Sequence, residues 1–440
     1  MRYRVEMFDR MQLCYDQVKF NDHQVHCQMT LRGALEESAL RRAVALSLRA
    51  FPILATRYCA SARDPFWESL PEADLERAFA AVEDEGAFEK ETTLRLDERE
   101  GPQVRVTMLR GDRPRLTVTM NHMIADGASF KDYLYFVSGT YSALVRDAGG
   151  APVHAAVGDR GTRDVLRHFR PAARLRALVS KVNAAGSVTF PFSDEAGGAP
   201  IIAHRTMDRK SVDRLRDFCR EHHATLNDAV LTAFYRVLAR LVGSSAGEIQ
   251  VPIMVDLRRF LPPEARFSSL RNLASMVITR VPHRPGEGFE ETLHAATAAT
   301  AALKAQDIGL GGLAKLSLLF ALCGPEWGQR LLRRGLRPPR VCMTNIGELD
   351  ASRLSFRGAE VTSAFACGSI KYKPHFQLAV SGFHGTLTLS SNVYGSPEDR
   401  RRVEAFLQEV ERELVGVPGS LAKDQKKSAA GTGLAAVSYA

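Results

Sequence analysis

The residues best suited to chemistry lie close together in the heptapeptide Asn-His-Met-Ile-Ala-Asp-Gly, at positions 121–127. His122 carries an imidazole whose unperturbed pKa of about 6.5 lets it accept a proton near neutral pH. Asp126, four residues later, carries a carboxylate that can pair with a cation and fix the turn. Gly127 permits either a positive φ or the close approach of a ligand. This pattern indicates a general base held in a short turn.

The residues on either side of the heptapeptide predict the elements that position it. Between Leu116 and Met120, apolar residues alternate with polar ones, as they do in a half-buried strand. Asp126 or Ser129 is suited to cap a helix that follows. The apolar residues of that helix recur at helical spacing: Phe130, Leu134, Val137, Tyr141 and Leu144. His122 therefore lies where a strand ends, in a loop position that often carries functional residues.

The heptapeptide resembles the HHxxxDG motif of the chloramphenicol-acetyltransferase-like superfamily. This superfamily includes nonribosomal-peptide condensation domains, BAHD acyltransferases, wax ester synthases, alcohol acetyltransferases and polyketide-associated acyltransferases. The resemblance implies that His122 is the catalytic base and that Asp126, followed by Gly127, orients the motif. The first His of the motif is Asn121 in this chain. BAHD-type members also lack a fixed His there, so Asn121 disfavours a condensation domain without arguing against catalysis.

A second resemblance lies in the C-terminal half. The sequence TLNDAVLTAF at 225–234 resembles the helix that opens the second lobe of wax-ester-synthase-like and condensation-like proteins. Further on, DLRRF at 256–260 follows a predicted strand at a point where the superfamily often has D-x-R. The resemblance implies that Arg258 pairs with Asp126. Arg259 is the alternative partner, and both arginines can also be ordinary surface charges after a strand.

The third resemblance is the sequence Thr-Asn-Ile-Gly at 344–347, which closes a strand predicted at 339–349. It is similar to a motif that borders the tunnel of polyketide-associated and condensation-type acyltransferases. Asn345 can donate a hydrogen bond to a developing oxyanion or to pantetheine. Ordinary use of Asn-x-Gly in a turn explains the sequence equally well.

The resemblance implies an α/β (α+β) fold with two lobes, each a mixed sheet flanked by helices, and a tunnel at the interface of the lobes. We expect an N-terminal lobe at 1–160 and a C-terminal lobe at 201–417. The intervening 161–200 is interpreted as a basic crossover, either a solvated helix or a docking surface for phosphate or a carrier protein. The tail at 418–440 is rich in Gly, Ser, Ala and Lys and lacks periodicity, which is typical of disorder.

The composition of the 440 residues fits a soluble cytoplasmic protein: 45% are hydrophobic and 25% charged. The net charge of +9 favours anionic partners such as CoA phosphates, an acidic carrier protein or an anionic membrane. No nucleic-acid-binding motif is present. The seven cysteines include no C-x-x-C pair, and no cluster has metal-ligand spacing. The N-terminus lacks the apolar segment of a signal peptide. The most apolar stretch, 309–324, is too short to span a bilayer and is interpreted as a buried helix.

These features predict an acyltransferase that moves an acyl group to an alcohol or amine acceptor. The resemblance implies direct attack on a thioester, with no acyl-enzyme and no tightly bound cofactor. The co-substrate is acyl-CoA or a phosphopantetheinyl carrier protein. No G-x-S-x-G elbow suggests a serine nucleophile. Two alternatives remain, a freestanding condensation-like domain that joins carrier-bound substrates and a non-catalytic relative that binds carrier proteins.

Overall fold

A computed structural model describes most of the chain, namely residues 1–60, 64–147, 158–179, 188–195, 197–243, 248–263, 266, 269–282, 284, 286–304 and 309–417. The strands are β1 (Arg2–Arg4), β2 (Gln24–Gly33), β3 (Thr56–Cys59), β4 (Phe66–Ser69), β5 (Phe79–Val82), β6 (Val104–Leu109), β7 (Arg115–Asn121), β8 (Ala199–Met207), β9 (Glu248–Asp256), β10 (Ala274–Pro282), β11 (Val341–Leu349), β12 (Ala359–Cys367), β13 (Lys371–Tyr372), β14 (Phe376–Phe383) and β15 (Thr386–Gly395). The helices are α1 (Met7–Gln17), α2 (Glu37–Ala50), α3 (Glu72–Leu75), α4 (Glu85–Thr92), α5 (Gly127–Arg146), α6 (Arg163–His168), α7 (Pro171–Val179), α8 (Arg209–Glu221), α9 (Leu226–Val242), α10 (Phe289–Lys304), α11 (Leu310–Gly335) and α12 (Pro397–Val415). The predicted tail at 418–440 lies outside the described residues.

The N-terminal lobe is built on a five-stranded sheet with the strand order β12-β2-β7-β6-β5. Its pairs are antiparallel except for β5 with β6, which are parallel. Helices α2 and α5 pack against each other over the core of this sheet. The edge strand β12 comes from the C-terminal part of the chain and pairs with β2. The two halves of the chain are therefore joined by the backbone pairing of β12 with β2 as well as by side-chain contacts.

The C-terminal lobe is built on a second mixed sheet, with the order β10-β9-β11-β14-β15-β13 and β8 paired to β15. Strand β11 is parallel to both β9 and β14, whereas β14 and β15 form an antiparallel hairpin. Helices α9, α10 and α12 cover the sheet, and their apolar faces form one core with its strands. The predicted class is confirmed, because each lobe is a mixed sheet flanked by helices. The lobe boundaries at 160 and 201 stay predictions.

The basic segment after residue 160 is helical with exposed arginines, and its apolar side also packs against the rest of the molecule. It forms two short helices, α6 and α7, separated before Pro171. Their apolar residues Val165, Phe169 and Ala173 are buried in a third core cluster that includes residues of α1 and α11. Periodicity missed this packing because Phe169 and Pro171 interrupt the pattern within a few residues.

The apolar stretch at 309–324 is only partly a core helix, and the prediction of a buried helix is wrong for its second half. In α11, Leu310, Leu313 and Leu316 are buried, but Leu318 and Leu322 are 43% and 76% exposed. Gly324, with φ 71°, interrupts the helix before Pro325. No helix among the described residues is long and apolar enough to cross a membrane.

A buried histidine in the N-terminal sheet generates a prediction about acid stability. His26 on β2 is fully buried, and its Nδ1 lies 3.2 Å from Thr119 Oγ1 on β7. Burial lowers the pKa of His26 from 6.5 to about 4. The unfolded chain therefore binds this proton more readily than the folded protein. The free energy of unfolding should fall as the pH drops from about 6.5 to about 4, by up to about 3 kcal/mol from this residue.

The variant His26→Gln tests this contribution because its amide cannot titrate. We expect the variant to lose less stability than the parent over the same pH window. Urea unfolding of both proteins between pH 7 and about pH 4 measures the difference. An identical pH dependence in the two proteins would contradict the assignment.

Candidate functional site

The heptapeptide lies where β7 ends and α5 begins, as the sequence predicts. Asn121, the last residue of β7, pairs with Gln24 on β2. The backbone N–H of His122 donates to the carbonyl of His23 at 2.7 Å. Asp126 is the N-cap of α5, and its Oδ1 accepts from the backbone N–H of Ser129 at 3.1 Å. The turn is therefore fixed at both ends, by the sheet on one side and by the helix cap on the other.

Asn121 is a structural residue of this turn. Its side chain is fully buried, and its Nδ2 donates to Gln103 Oε1 at 2.7 Å. Its Oδ1 accepts from the backbone N–H of Met123 at 2.9 Å. Both ends of the amide are thus engaged in holding the turn. An amide does not titrate, so this position supplies no second acid or base beside His122.

His122 is held in the tautomer that a general base needs. Its Nδ1 lies 2.8 Å from the carbonyl oxygen of Ala125. A carbonyl can only accept, so Nδ1 carries the proton and the lone pair lies on Nε2. No hydrogen bond to Nε2 is found among the described residues. The residue keeps partial solvent contact, yet the protein around the ring lowers the pKa of His122 by desolvation. The imidazole is therefore neutral at pH 7 and can accept a proton at Nε2.

The ion pair that the resemblance implied between Asp126 and Arg258 is present. Arg258 Nη1 lies 2.6 Å from Asp126 Oδ2, and the two side chains are only 3% and 4% exposed. Burial by itself would raise the pKa of Asp126, but the charge of Arg258 and its hydrogen bond outweigh burial and lower it. Backbone N–H groups of Leu273 and Ser129 also donate to this carboxylate. Asp126 is thus ionised, and both of its carboxylate oxygens accept hydrogen bonds. It orients the turn and is not a proton donor.

Arg258 joins several segments at this point. Its Nη2 donates to Ser129 Oγ at 2.7 Å and to the carbonyl of Arg271 at 2.8 Å. Asp256 is a second carboxylate partner of Nη1, at 3.1 Å. The alternative partner, Arg259, is exposed and lies 5.6 Å from the ring centroid of Phe260. The structure thus confirms Arg258 as the partner of Asp126 and excludes the alternative, Arg259.

Gly127 does not have the positive φ that was one of its two predicted uses. It is the first residue of α5 and lies outside the left-handed region. A Cβ at this position would lie 3.4 Å from Ile346 Cγ2, which is ordinary van der Waals contact. Strand β11 therefore passes directly beside the first turn of α5. This contact brings the Thr-Asn-Ile-Gly sequence next to the heptapeptide.

Asn345 is exposed, and β11 continues through it to Leu349 with a bulge between Asn345 and Gly347. Within this bulge the Asn-x-Gly sequence makes the side-chain-to-backbone hydrogen bond of an Asx turn. The Nδ2 of Asn345 donates to Asn227 Oδ1 at 3.1 Å, and its Oδ1 accepts from the backbone N–H of Gly347 at 2.8 Å. Asn227 belongs to the TLNDAVLTAF helix, α9. The two motifs of the C-terminal half therefore contact each other through a pair of asparagines. One amide hydrogen of Asn345 is left for another acceptor.

Several residues that support the turn were not predicted from the sequence. Arg160 donates to Asp9 Oδ1 at 3.0 Å and to the carbonyl of Leu270 at 3.0 Å, and it approaches the carbonyls of Met123 and Ile124 at 3.4 Å. Asn272 Nδ2 donates to the carbonyl of His122 at 3.0 Å. Arg160 and Asn272 lie in irregular segments without periodicity. Only their tertiary positions identify them as supports of the turn.

A charged cavity of about 430 Å³ adjoins the first turns of α5. Its lining includes Lys131, Asp132, Arg259 and Arg353. Burial raises the pKa of Asp132 to about 6. His122 does not line this cavity, so the cavity neighbours the heptapeptide turn without including its imidazole. Among the described residues, no group of three His, Cys, Asp or Glu side chains is placed to hold a metal ion.

The fold and site can now be compared with known proteins. No family model matches the chain. A nonribosomal peptide synthetase, kk1B from Curvularia clavata, is 27% identical over 235 residues. The match covers 50% of this chain but 2% of that much longer protein.

Three solved structures are similar over almost their whole length. Polyketide synthase associated protein 5 from Mycobacterium tuberculosis has a TM-score of 0.68 at 19% identity, with 93% of this chain and 96% of that chain covered. The first condensation domain of the calcium-dependent antibiotic synthetase, with a bound substrate analogue, has a TM-score of 0.70 at 15% identity, with 94% of this chain and 96% of that chain covered. A trichothecene 15-O-acetyltransferase from Fusarium sporotrichioides has a TM-score of 0.70 at 10% identity, with 94% of this chain and 95% of that chain covered. The chain therefore has the two-lobed chloramphenicol-acetyltransferase-like fold that these proteins share.

The Asp126–Arg258 pair generates a prediction about stability. In Arg258→Met, Asp126 stays buried without its cation, so the free energy of unfolding should fall by about 3–5 kcal/mol. Arg258→Lys keeps the charge but cannot reach Asp126, Ser129 and the Arg271 carbonyl together, so its loss should be intermediate. Arg259→Met makes the same chemical change at the adjacent, exposed position. Urea unfolding should show a change within about 0.5 kcal/mol for that control, and similar losses at both positions would contradict the assignment.

Proposed function

We propose that this protein is an acyltransferase that uses His122 as a general base to move an acyl group from a thioester to an alcohol or amine. One observation carries the proposal. The Nδ1 of His122 is hydrogen-bonded to the Ala125 carbonyl at 2.8 Å, which leaves the lone pair of Nε2 to take the proton of the alcohol or amine substrate. The turn that holds this ring is pinned by the buried Asp126–Arg258 pair. The fold shared with condensation domains and acyltransferases supports the same chemistry.

The reaction begins when Nε2 of His122 removes the proton of the acceptor hydroxyl or amine. The nucleophile attacks the thioester carbonyl, and a tetrahedral oxyanion forms. When the oxyanion collapses, the carbon–sulfur bond breaks and the leaving thiolate takes the proton back from the imidazolium. A positioned base of this kind contributes roughly 10²–10⁴-fold to the rate. The remaining amide hydrogen of Asn345 is a candidate donor to the oxyanion or to the pantetheine arm.

Direct attack is favoured over an acyl-enzyme because five of the seven thiols are buried and poorly suited to act as nucleophiles. Burial raises the pKa of Cys14 and Cys219 to about 11 and that of Cys367 to about 12. Burial also raises the pKa of Cys27 and Cys342. A thiol with a raised pKa carries little thiolate at neutral pH. The imidazole of His122 is therefore the proposed catalytic group.

The donor is proposed to be acyl-CoA or an acyl group on a phosphopantetheinyl carrier protein. Either donor is anionic and suits a chain with a net charge of +9. Donor and acceptor are proposed to meet at His122 through a tunnel between the lobes. The cytoplasm is the proposed location, since CoA and carrier thioesters are made there.

The second candidate is a condensation-like domain that joins two carrier-bound substrates. The similarity to a nonribosomal peptide synthetase and to its condensation-domain relatives favours it. Asn121 counts against it, because the first position of the motif is a buried structural amide here. A non-catalytic carrier-binding relative is the third candidate, and it would have no need of a base with a free Nε2.

Replacement of His122 separates these possibilities. In His122→Ala and His122→Gln, turnover of an acyl thioester with an acceptor should fall by roughly 10²–10⁴-fold, while binding of the donor is retained. Mass spectrometry of thioester loss, with acyl-CoA and with acyl-carrier protein, measures the turnover and identifies the donor. His294→Ala, an exposed histidine on α10, is the matched control and should keep full activity. Undiminished turnover in both His122 variants would refute the proposal.

The pH dependence of turnover tests the protonation state of His122. Burial is the largest cause that lowers its pKa, and the positive charge of Lys371 lowers it further. The acid limb of kcat/KM should therefore inflect below about 6.5, the value for free histidine. Lys371→Met removes the charge and should move the inflection towards higher pH. An inflection that stays unmoved in the variant, or that lies above 6.5 in the parent, would contradict the assignment.

A further inference from the structure

The surface of helix α11 is the largest feature that the proposed function leaves unused. Eight large apolar side chains are markedly exposed in the described part of the chain: Met1, Leu175, Leu241, Leu318, Leu322, Trp327, Leu331 and Val415. Four of them, Leu318, Leu322, Trp327 and Leu331, lie on α11. A fifth, Leu175, lies on α7, which packs against α11. Single exposed apolar residues are ordinary, whereas a concentration on one helix indicates an interaction surface.

These side chains protrude instead of lining a groove. Leu322 is 76% and Trp327 is 58% exposed, while the opposite face of α11 is buried through Leu310 and Leu313. Leu318 and Leu322 are four residues apart, as are Trp327 and Leu331, so each pair lies on one side of its helical segment. The break at Gly324 separates the two segments. Gly328 then packs against Phe320, since a Cβ there would lie 2.7 Å from that ring.

The charge around these apolar residues is almost entirely positive. Residues 310–340 contain one acidic residue, Glu326, against the basic residues Lys315, Arg330, Arg333, Arg334, Arg337 and Arg340. Glu326 is already paired with Arg330 at 2.8 Å, and the Arg330 guanidinium lies 5.2 Å from the ring centroid of Trp327. Arg333, Arg334 and Arg337 are exposed. Helix α7 has no acidic residue and adds exposed Arg176.

We propose that the exposed side chains of α11, namely Leu318, Leu322, Trp327 and Leu331 with Arg334 and the following Arg337, dock on a bilayer that contains anionic lipids. Protruding Leu and Trp side chains enter the boundary between headgroups and acyl chains, and the arginines meet the lipid phosphates. Charge complementarity identifies the occupant, because an anionic headgroup layer matches exposed arginines in a segment, residues 310–340, that has six basic residues and one acidic residue, which is paired. This binding is peripheral and does not depend on acyl transfer.

A bilayer fits these features better than a protein partner. The apolar anchors of a protein interface are usually received in well-packed pockets that match them in shape. A lipid surface needs no such match and accepts protruding side chains spread along two segments of a broken helix. Trp and Arg at the rim of an apolar face are typical of helices that lie in the plane of a membrane interface.

Vesicle co-sedimentation of the full-length protein tests the proposal. Vesicles of phosphatidylcholine with about one third phosphatidylglycerol should bind the protein, and phosphatidylcholine alone should bind it at least about tenfold more weakly. Salt should weaken the binding, because screening reduces the attraction of the arginines. The chain has two tryptophans, and Trp67 is fully buried. A blue shift of the emission on binding therefore reports on Trp327, and it should disappear in Trp327→Phe while sedimentation is retained.

Three variants at exposed positions locate the contact. Leu322→Glu and the double variant Arg334→Glu/Arg337→Glu should each weaken vesicle binding by about tenfold or more. Arg400→Glu/Arg401→Glu on α12 makes the same charge change at exposed positions elsewhere and should stay within about twofold of the parent. Circular dichroism checks that each variant is folded.

Three outcomes would overturn the proposal. The first is an absence of binding to the anionic vesicles. The second is equal loss in the α11 and α12 charge variants, which would indicate attraction by net charge alone. The third is self-association, or binding to an acidic carrier protein, that Leu322→Glu abolishes while vesicle binding is absent, which would assign the face to a protein partner.

Discussion

The arrangement of the site depends on one buried ion pair. Asp126 and Arg258 are separated by 132 residues and come from the two halves of the chain, yet their side-chain atoms meet at 2.6 Å. Breaking such a pair leaves a charge in a medium that solvates it poorly, so both partners are tightly constrained. Arg258 also binds Ser129 Oγ and the Arg271 carbonyl. The start of α5 and the loop that contains Arg271 are thereby held to the end of β9.

This constraint fixes the chemistry of the neighbouring imidazole. Asp126 is ionised, paired with Arg258 and hydrogen-bonded as the cap of α5, so its carboxylate is not available to take a proton from His122. The ring instead donates from Nδ1 to a backbone carbonyl, which leaves Nε2 as the basic atom. Asn121 makes the turn rigid without adding a second titratable group. The site thus has one candidate base, His122, whose lowered pKa keeps the ring neutral at pH 7 with its lone pair on Nε2.

Residues from both halves of the chain support the turn that holds His122. Strand β12 crosses from the C-terminal part of the chain into the N-terminal sheet. On β11, Ile346 Cγ2 lies 3.4 Å from the point where a Cβ would stand at Gly127. The Asn227–Asn345 contact connects α9 to the same strand. The outer face of α11 takes no part in these contacts. Its exposed apolar side chains, Leu318, Leu322, Trp327 and Leu331, separate the surface proposed for lipid binding from the proposed catalytic site.

The sequence by itself determined the local elements and the candidate base. Alternation predicted β7, helical spacing and Asp126 predicted the capped α5, and the motif resemblance implied the mixed two-lobed fold and the Arg258 partner. Only the tertiary structure showed that Arg258 and not Arg259 meets Asp126, continued β11 through Asn345 to Leu349, and exposed half of an apolar stretch expected in the core. Periodicity along a chain reports which face of an element is apolar, whereas partners more than a hundred residues apart, such as Arg160 and Asp9, are set by how the elements pack.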